Sequence, residues 1–78
     1  MRRVLRATEV TTSQDGTPLT VRFGCASRRV RRVLDHWRAS GRWWEGGAPR
    51  DYWLLALRGG EVEVYREGAA WVVSRASD

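Results

Sequence analysis

The sequence predicts an α+β fold, in which an N-terminal β-hairpin and one amphipathic helix precede a curved antiparallel β-meander. Two observations support the strands: apolar and polar side chains alternate over 19–23 and again over 61–65. A third supports the helix, since apolar residues recur at helical spacing over 30–37. The chain has 78 residues and no linker-like stretch, so we predict one small domain spanning residues 1–78.

The first predicted element is the hairpin. Residues 1–10 alternate loosely, as in a strand, and 11–16 have the composition of a turn, with Asp15-Gly16 as its sharpest signal. A second strand is predicted over 19–23, where apolar side chains occupy alternate positions. Pro18 at its start suits an edge position, where a missing N–H costs little.

A helix is predicted next, from an N-cap at Ser27 to a C-terminal Gly41. Its apolar stripe, which would put Trp37 in the core, consists of Val30, Val33, Leu34 and Trp37. Its opposite face carries Arg28, Arg31 and Arg32. Cations near a helix N-terminus are disfavoured by about 0.3–1 kcal/mol each. Two explanations stay open: a bound anion compensates, or neighbouring carboxylates and solvent do.

The rest of the chain is predicted to form an antiparallel meander. Its strands are 42–45, 52–57, 61–65 and 71–75, separated by a loop at 46–49 and by turns at Gly59-Gly60 and Glu67-Gly68. In the strand 52–57, Trp53, Leu55 and Leu57 lie on the face predicted to be buried.

Aromatic residues are concentrated in this region. Trp43 and Trp44 are adjacent, as are Tyr52 and Trp53, so each pair places large apolar area on both faces of a sheet. One residue of the first pair belongs to the core, whereas the other either packs beneath the hairpin or stands exposed as a stacking platform or partner anchor. We predict a protein interface at Trp43, Trp44 and Tyr52 and, because one helix covers only one sheet face, a two-fold homodimer.

The charge suggests a polyanionic partner. Fourteen residues are basic, all of them arginine, and the net charge is +5. We predict that Arg28, Arg31, Arg32 and Arg38 contact phosphates of a nucleic acid and that Trp44 stacks on a base.

The remaining chemistry points away from catalysis, metals and cofactors. Cys25 is the only cysteine and His36 the only histidine, and the helical phase separates them, so we expect no catalytic dyad and a buried or half-buried Cys25. Glu61 and Glu63 are predicted to lie on a solvated strand face. No apolar stretch is long enough to span a membrane and no signal-peptide core follows Arg2 and Arg3, which predicts a cytoplasmic protein without a membrane partner.

Part of the sequence resembles a known family. The matching segments are Gly41-Arg-Trp-Trp-Glu-Gly, Arg50-Asp51-Tyr52-Trp53, Val64-Tyr-Arg66 and Trp71. They resemble the C-terminal segment of ImuB-type proteins, inactive Y-family polymerase homologues of the bacterial mutasome, and small stand-alone proteins of unknown function that carry the same segment. The resemblance covers 28–78. It departs at Trp53, where the family often has tyrosine, and after Trp71, where the family tends towards Trp-Tyr-Leu-His.

The resemblance implies a non-enzymatic accessory module in DNA repair or translesion synthesis, with a polymerase-related protein as one partner. Together with the charge, it predicts binding to nucleic acid. The alternative is a module for protein interaction or homodimerisation that uses an aromatic sheet face. Salt dependence separates the two, because phosphate binding weakens steeply with salt.

Overall fold

The computed structural model of the protein describes residues 2–39 and 49–77. All regular secondary structure within these ranges is β-strand, so the predicted α+β class is wrong and the fold is all-β. The strands are β1 (Arg2–Thr8), β2 (Val10–Thr12), β3 (Pro18–Phe23), β4 (Ala26–Arg29), β5 (Arg32–Ala39), β6 (Arg50–Leu57), β7 (Gly60–Glu67) and β8 (Ala70–Ser77).

The strands form two antiparallel sheets that are joined at two corners. One sheet has the order β1-β8-β7-β6-β5, and the other has the order β2-β3-β4. At the first corner, between β1 and β2, the Arg22 amide donates to the Glu9 carbonyl at 3.0 Å. At the second corner, between β4 and β5, the Val30 amide donates to the Leu19 carbonyl on one sheet, and the Arg31 amide donates to the Ala56 carbonyl on the other, both at 2.8 Å. Backbone hydrogen bonds therefore hold each corner where the chain passes from one sheet to the other.

The predicted helix is replaced by β4 and β5. β5 pairs with β6 from Arg32 opposite Ala56 to Ala39 opposite Arg50, with a bulge between Val33 and Asp35. A bulge shifts the alternation by one residue, so a bulged strand can imitate helical spacing. Val30, Val33 and Trp37 are also residue types that favour strands. Since a strand has no macrodipole, the crowded arginines no longer face an unfavourable helix end.

A tight turn that the sequence analysis overlooked begins this segment. Phe23 pairs with Ala26, which leaves Gly24 and Cys25 as a two-residue connection. Gly24 has φ 60°, a left-handed conformation that glycine adopts without a steric penalty. Cys25 is exposed in this turn, so the expectation of a buried or half-buried thiol is wrong.

The predictions for the other described strands are close to the structure. The strand 19–23 is confirmed in β3, but the predicted hairpin holds only in part: β2 pairs with β3, whereas β1, which is most of the predicted first strand 1–10, pairs with β8 in the other sheet. The predicted turn 11–16 overlaps β2. β3 is a central strand, so the edge position expected for Pro18 is wrong. The strands 52–57, 61–65 and 71–75 are confirmed within β6, β7 and β8. The predicted turn at Gly59-Gly60 lies one residue earlier, because Leu57 pairs with Gly60 and leaves Arg58 and Gly59 as the connection.

One core lies between the two sheets. Its buried residues are Val21, Trp53, Leu55, Leu57, Val62, Val64 and Val73. The face of the five-stranded sheet that carries Leu55 is termed the inner face, and the face that carries Tyr52 is termed the outer face. The central hairpin strand β3 contributes Val21, which is fully buried. The β2-β3-β4 sheet therefore covers the inner face, the role that the sequence analysis assigned to a helix.

Trp37 does not belong to this core. Its side chain is 37% exposed, because it lies on the outer face, opposite Tyr52 on β6. The predicted strand 42–45, the helix end at Gly41 and the tryptophans Trp43 and Trp44 lie outside the described residues. No helix in the described part of the chain is long and apolar enough to cross a bilayer.

Candidate nucleic-acid interface

A cleft rimmed with arginine opens at one end of the core. It has a volume of about 730 Å³ and lies between the N-terminal strand, the β3–β4 turn and the β6–β7 turn. Apolar side chains such as Leu57, Val62 and Val73 line it on the inside. Its arginines are Arg2, Arg3, Arg6, Arg22 and Arg28. The cleft thus combines an apolar floor with a positively charged rim.

A second, shallower concavity continues this charged surface. It is lined by Arg28, Arg29, Val30, Arg31 and Arg58. Arg28 lines both depressions, so their arginines form one surface, here termed the basic end. The basic end consists of Arg2, Arg3, Arg6, Arg22, Arg28, Arg29, Arg31 and Arg58.

Tight turns present two of these arginines. Arg58 is the first residue of the two-residue β6–β7 turn, which is possible because Gly59 has φ 87°. Arg28 is the third residue of β4, which begins directly after the Gly24–Cys25 turn, and its guanidinium lies 5.6 Å from the centre of the Phe23 ring. Arg28 is therefore held by packing, whereas Arg58 projects from a turn.

Carboxylates neutralise only part of the basic end. Arg22 forms an ion pair with Glu9 at 2.8 Å, and Glu61 is the acidic residue that lines the cleft. Within residues 2–39 and 49–77, no other basic-end arginine lies within 4.0 Å of a carboxylate. The basic end thus carries a concentrated positive charge that attracts polyanions, most strongly at low salt.

The arginines predicted to contact phosphates fall into two groups. Arg28 and Arg31 belong to the basic end, together with Arg29, with the other four arginines of the cleft and with Arg58. Arg32 pairs with Ala56 on the outer face of β5 and lines neither depression. Arg38 lies near the other end of β5 and forms an ion pair with Asp51 at 3.0 Å. The basic end therefore shares two residues with the predicted set. Of the others, Arg29 is adjacent to Arg28, and the remaining five come from β1, β3 and the β6–β7 turn.

Aromatic residues form a row across the outer face. The Trp37 and Tyr52 rings stack with centroids 5.3 Å apart and an interplanar angle of 4°. Tyr52 and Tyr65 lie 5.3 Å apart at a tilt of 43°. Tyr52, the one described residue of the predicted protein interface, is half-buried in this row, whereas Trp43 and Trp44 lie outside the described residues.

Arg50 closes the far side of the row. Its guanidinium lies 4.5 Å from the centre of the Tyr65 ring, and its Nε donates to Glu67 at 2.7 Å. Hydrogen bonding to Tyr52 and then to Glu67 raises the pKa of Arg50 above its usual value. Arg50 is a structural cation of this row and has a carboxylate partner in Glu67, as Arg22 of the basic end has in Glu9.

A second aromatic group lies on the inner face, at the end opposite the basic end. The rings of His36 and Trp53 are nearly parallel, with centroids 4.2 Å apart and an angle of 8°. Trp53 is tilted by 44° against Trp71 at 5.2 Å. His36 and Trp53 line a concavity together with Arg38, Asp51 and Arg66, here termed the aromatic end. From the sequence, His36 was considered only as a partner of Cys25, but these two residues lie at opposite ends of the molecule.

Metal binding has no support in the described structure. Residues 2–39 and 49–77 contain no group of three or more His, Cys, Asp or Glu side chains placed to hold an ion. Glu61 is exposed on β7, whereas Glu63 accepts a hydrogen bond from Ser74 at 2.8 Å.

Comparison of the chain with protein-family models, with curated proteins and with solved structures gives no match. The resemblance to the ImuB C-terminal segment therefore stays a prediction from the sequence motifs.

Proposed function

We propose that this protein is a non-enzymatic accessory module that binds nucleic acid through the basic end. The observation that carries the proposal is the convergence of eight arginines from β1, β3, β4 and two connections on one surface. Phosphate contacts supply most of the affinity of proteins that bind nucleic acid without sequence preference. A continuous arginine surface suits this task because guanidinium groups match phosphate oxygens in pairs.

The proposed biological setting is DNA repair or translesion synthesis in the cytoplasm. This part rests on the resemblance to the ImuB C-terminal segment, which also suggests a polymerase-related protein as partner. The basic end supports the nucleic-acid part of the proposal independently of that resemblance.

The proposal is tested by the salt dependence of binding. Fluorescence anisotropy with a labelled oligonucleotide, from about 50 mM to about 200 mM salt, measures the slope of log K against log salt. We expect a steep negative slope for the parent protein. Substitution of Arg31 and Arg58 by glutamine should flatten the slope by about 1–2 units, since each lost phosphate contact removes about 0.7–0.9. Arg28 is left intact because it packs on Phe23.

A charge-matched control tests whether binding depends on the arginines of the basic end or only on the net charge of the protein. Substitution of Arg32 and Arg75 by glutamine removes the same charge, but these two exposed side chains line neither depression of the basic end. We expect this control to keep nearly the parent slope. Equal slopes for the two double variants, or a parent protein that does not bind, would overturn the proposal.

A second candidate function is self-association or docking of a partner protein through the outer aromatic row. The observation that favours it is the exposure of Trp37, which ends the row at 37% exposure although it is a large apolar side chain. Sedimentation at micromolar concentration tests for a dimer, and Trp37→Ala should convert a dimer to a monomer. A parent protein that sediments as a monomer would remove the dimer from consideration. This interface, unlike the basic end, should respond little to salt.

A further inference from the structure

The aromatic end presents one ring face to solvent. Trp53 is only 6% exposed, because it lies between His36 and Trp71. His36 itself is exposed, although one of its ring faces is covered by the parallel Trp53 ring. The exposed part of His36 is therefore its other face and its edges. The geometry is that of a flat platform whose orientation is held from below by a buried tryptophan.

The charges around this platform differ from those of the basic end. Arg38 and Asp51 form an ion pair at 3.0 Å, and Asp15 and Arg66 line the same concavity. Two cations and two carboxylates thus surround His36 among the described lining residues, with no excess of positive charge. This balance does not select a phosphate. It suits a planar ring that carries both hydrogen-bond donors and acceptors on its edge, as nucleobases do.

The two ends are within reach of one nucleic-acid strand. Leu57 lines the cleft of the basic end, and Asp51 lines the aromatic end on the same strand, β6. Six residues of extended strand span about 20 Å. Single-stranded sites of small β-folds cover about 4–16 nucleotides, so a single strand can contact both ends.

We propose that His36 is a stacking platform for an unpaired nucleobase and that the protein binds single-stranded nucleic acid in preference to duplex. The inference deepens, and rests on, the proposed function. In a duplex both faces of each base are covered by neighbouring bases, so that only an unpaired base offers a free face to His36. The basic end holds the phosphates of either form, whereas the aromatic end adds affinity for the single strand alone.

The test compares a labelled single strand of about 12 nucleotides with the duplex of the same sequence, both bound by the full chain. The parent protein should bind the single strand more tightly. His36→Ala should weaken single-strand binding by about 5- to 150-fold, the effect of losing one base–aromatic stack. It should leave duplex affinity and the salt slope unchanged. His36→Phe, which restores a flat ring, should recover most of the loss, and Leu19→Ala, on an exposed residue of β3, should have no effect.

A further comparison separates stacking from a structural role of His36. An oligonucleotide with abasic sites in place of its bases keeps the phosphates but offers no rings. The parent protein should bind it as weakly as His36→Ala binds the normal strand, and the variant should hardly distinguish the two oligonucleotides. If His36→Ala melts at a much lower temperature than the parent, its binding is not interpreted. The deciding measurement is then the comparison of normal and abasic oligonucleotides on the parent protein and on His36→Phe.

The possible failures are distinguishable. If the parent binds nucleic acid in a salt-dependent manner but does not prefer the single strand or the normal bases, the stacking platform is refuted and the proposed function stands. Unchanged affinities in His36→Ala would have the same meaning and would leave the aromatic end to another class of ligand, such as an aromatic side chain of a protein. Absence of any salt-dependent binding refutes both.

Discussion

Replacing Leu55 by alanine should test the central feature of the fold, the core between the two sheets. Leu55 is fully buried on the inner face of β6, where its neighbours across the sheet are Val33 and Val62. Truncation of a buried leucine costs about 2–5 kcal/mol, since apolar contacts are lost and a cavity remains. At about 0.05–0.15 kcal/mol per residue, a 78-residue domain has a total stability of about 4–12 kcal/mol. One side chain therefore accounts for a large part of it.

The measurement is urea denaturation followed by tryptophan fluorescence, with a thermal melt beside it. For a domain of this size, 1 kcal/mol corresponds to about 4–8 °C, so Leu55→Ala should lower the melting temperature by about 8–40 °C. The matched control is Leu19→Ala, the same chemical change on a β3 leucine that is 48% exposed, and we expect it to cost less than about 1 kcal/mol. Equal losses in the two variants, or a loss below about 1 kcal/mol for Leu55→Ala, would refute the assignment of the inner face.

Three further predictions concern single residues. Trp37→Ala should lower the free energy of unfolding by about 1–2 kcal/mol, because the exposed indole loses mainly its stack on Tyr52. Trp53→Ala, at a buried position, should lower it by about 3–5 kcal/mol, and urea titration of both variants measures the difference. Hydrogen bonds, chiefly from Ser13 and Thr17, lower the pKa of Asp15 from 3.8 to about 2. The ionised Asp15 carboxylate therefore stabilises the fold above pH 3.8, and this contribution is lost as the pH falls towards 2. In Asp15→Ala the free energy of unfolding should depend less on pH in that window, and the same pH dependence as in the parent would contradict this. Leu5→Gly should be neutral or stabilise by up to about 1 kcal/mol in thermal melts, because Leu5 is exposed and has φ 49°, which glycine adopts freely.

The strands with strong local signals were predicted correctly. β7 alternates Val62 and Val64 with glutamates, and the β6–β7 turn contains glycine, so periodicity and turn chemistry agree. The segment 26–39 was assigned wrongly because its apolar spacing fits both a helix and a bulged strand. A local conflict was present there, since arginines crowded the N-terminus of the predicted helix. The two-residue Gly24–Cys25 connection between Phe23 and Ala26 was the signal that could have revealed a hairpin.

The candidate site was predicted only in part for a related reason. The arginine content and the net charge indicated a polyanionic partner, and these depend on composition alone. The grouping of arginines was derived from a helical period, which joined Arg32 to Arg28 and Arg31. In a strand, neighbours alternate between faces, and the partners of a side chain come from other strands. Arg58 lies in a turn 27 residues after Arg31, and no local sequence pattern indicates that it belongs to the basic end.

The sequence by itself determined the charge and the strands β6, β7 and β8, since each depends on neighbouring residues. Only the tertiary structure decided that residues 26–39 form strands and which residues meet at the basic end and at the aromatic end. Pairing of β5 with β6 and of β4 with β3 satisfies the backbone of this segment through residues far away in the chain, and such pairing outweighs a weak helical preference. The same long-range pairing brings His36 onto Trp53 and gathers the arginines of the basic end. These juxtapositions arise from sheet register, which local periodicity does not encode.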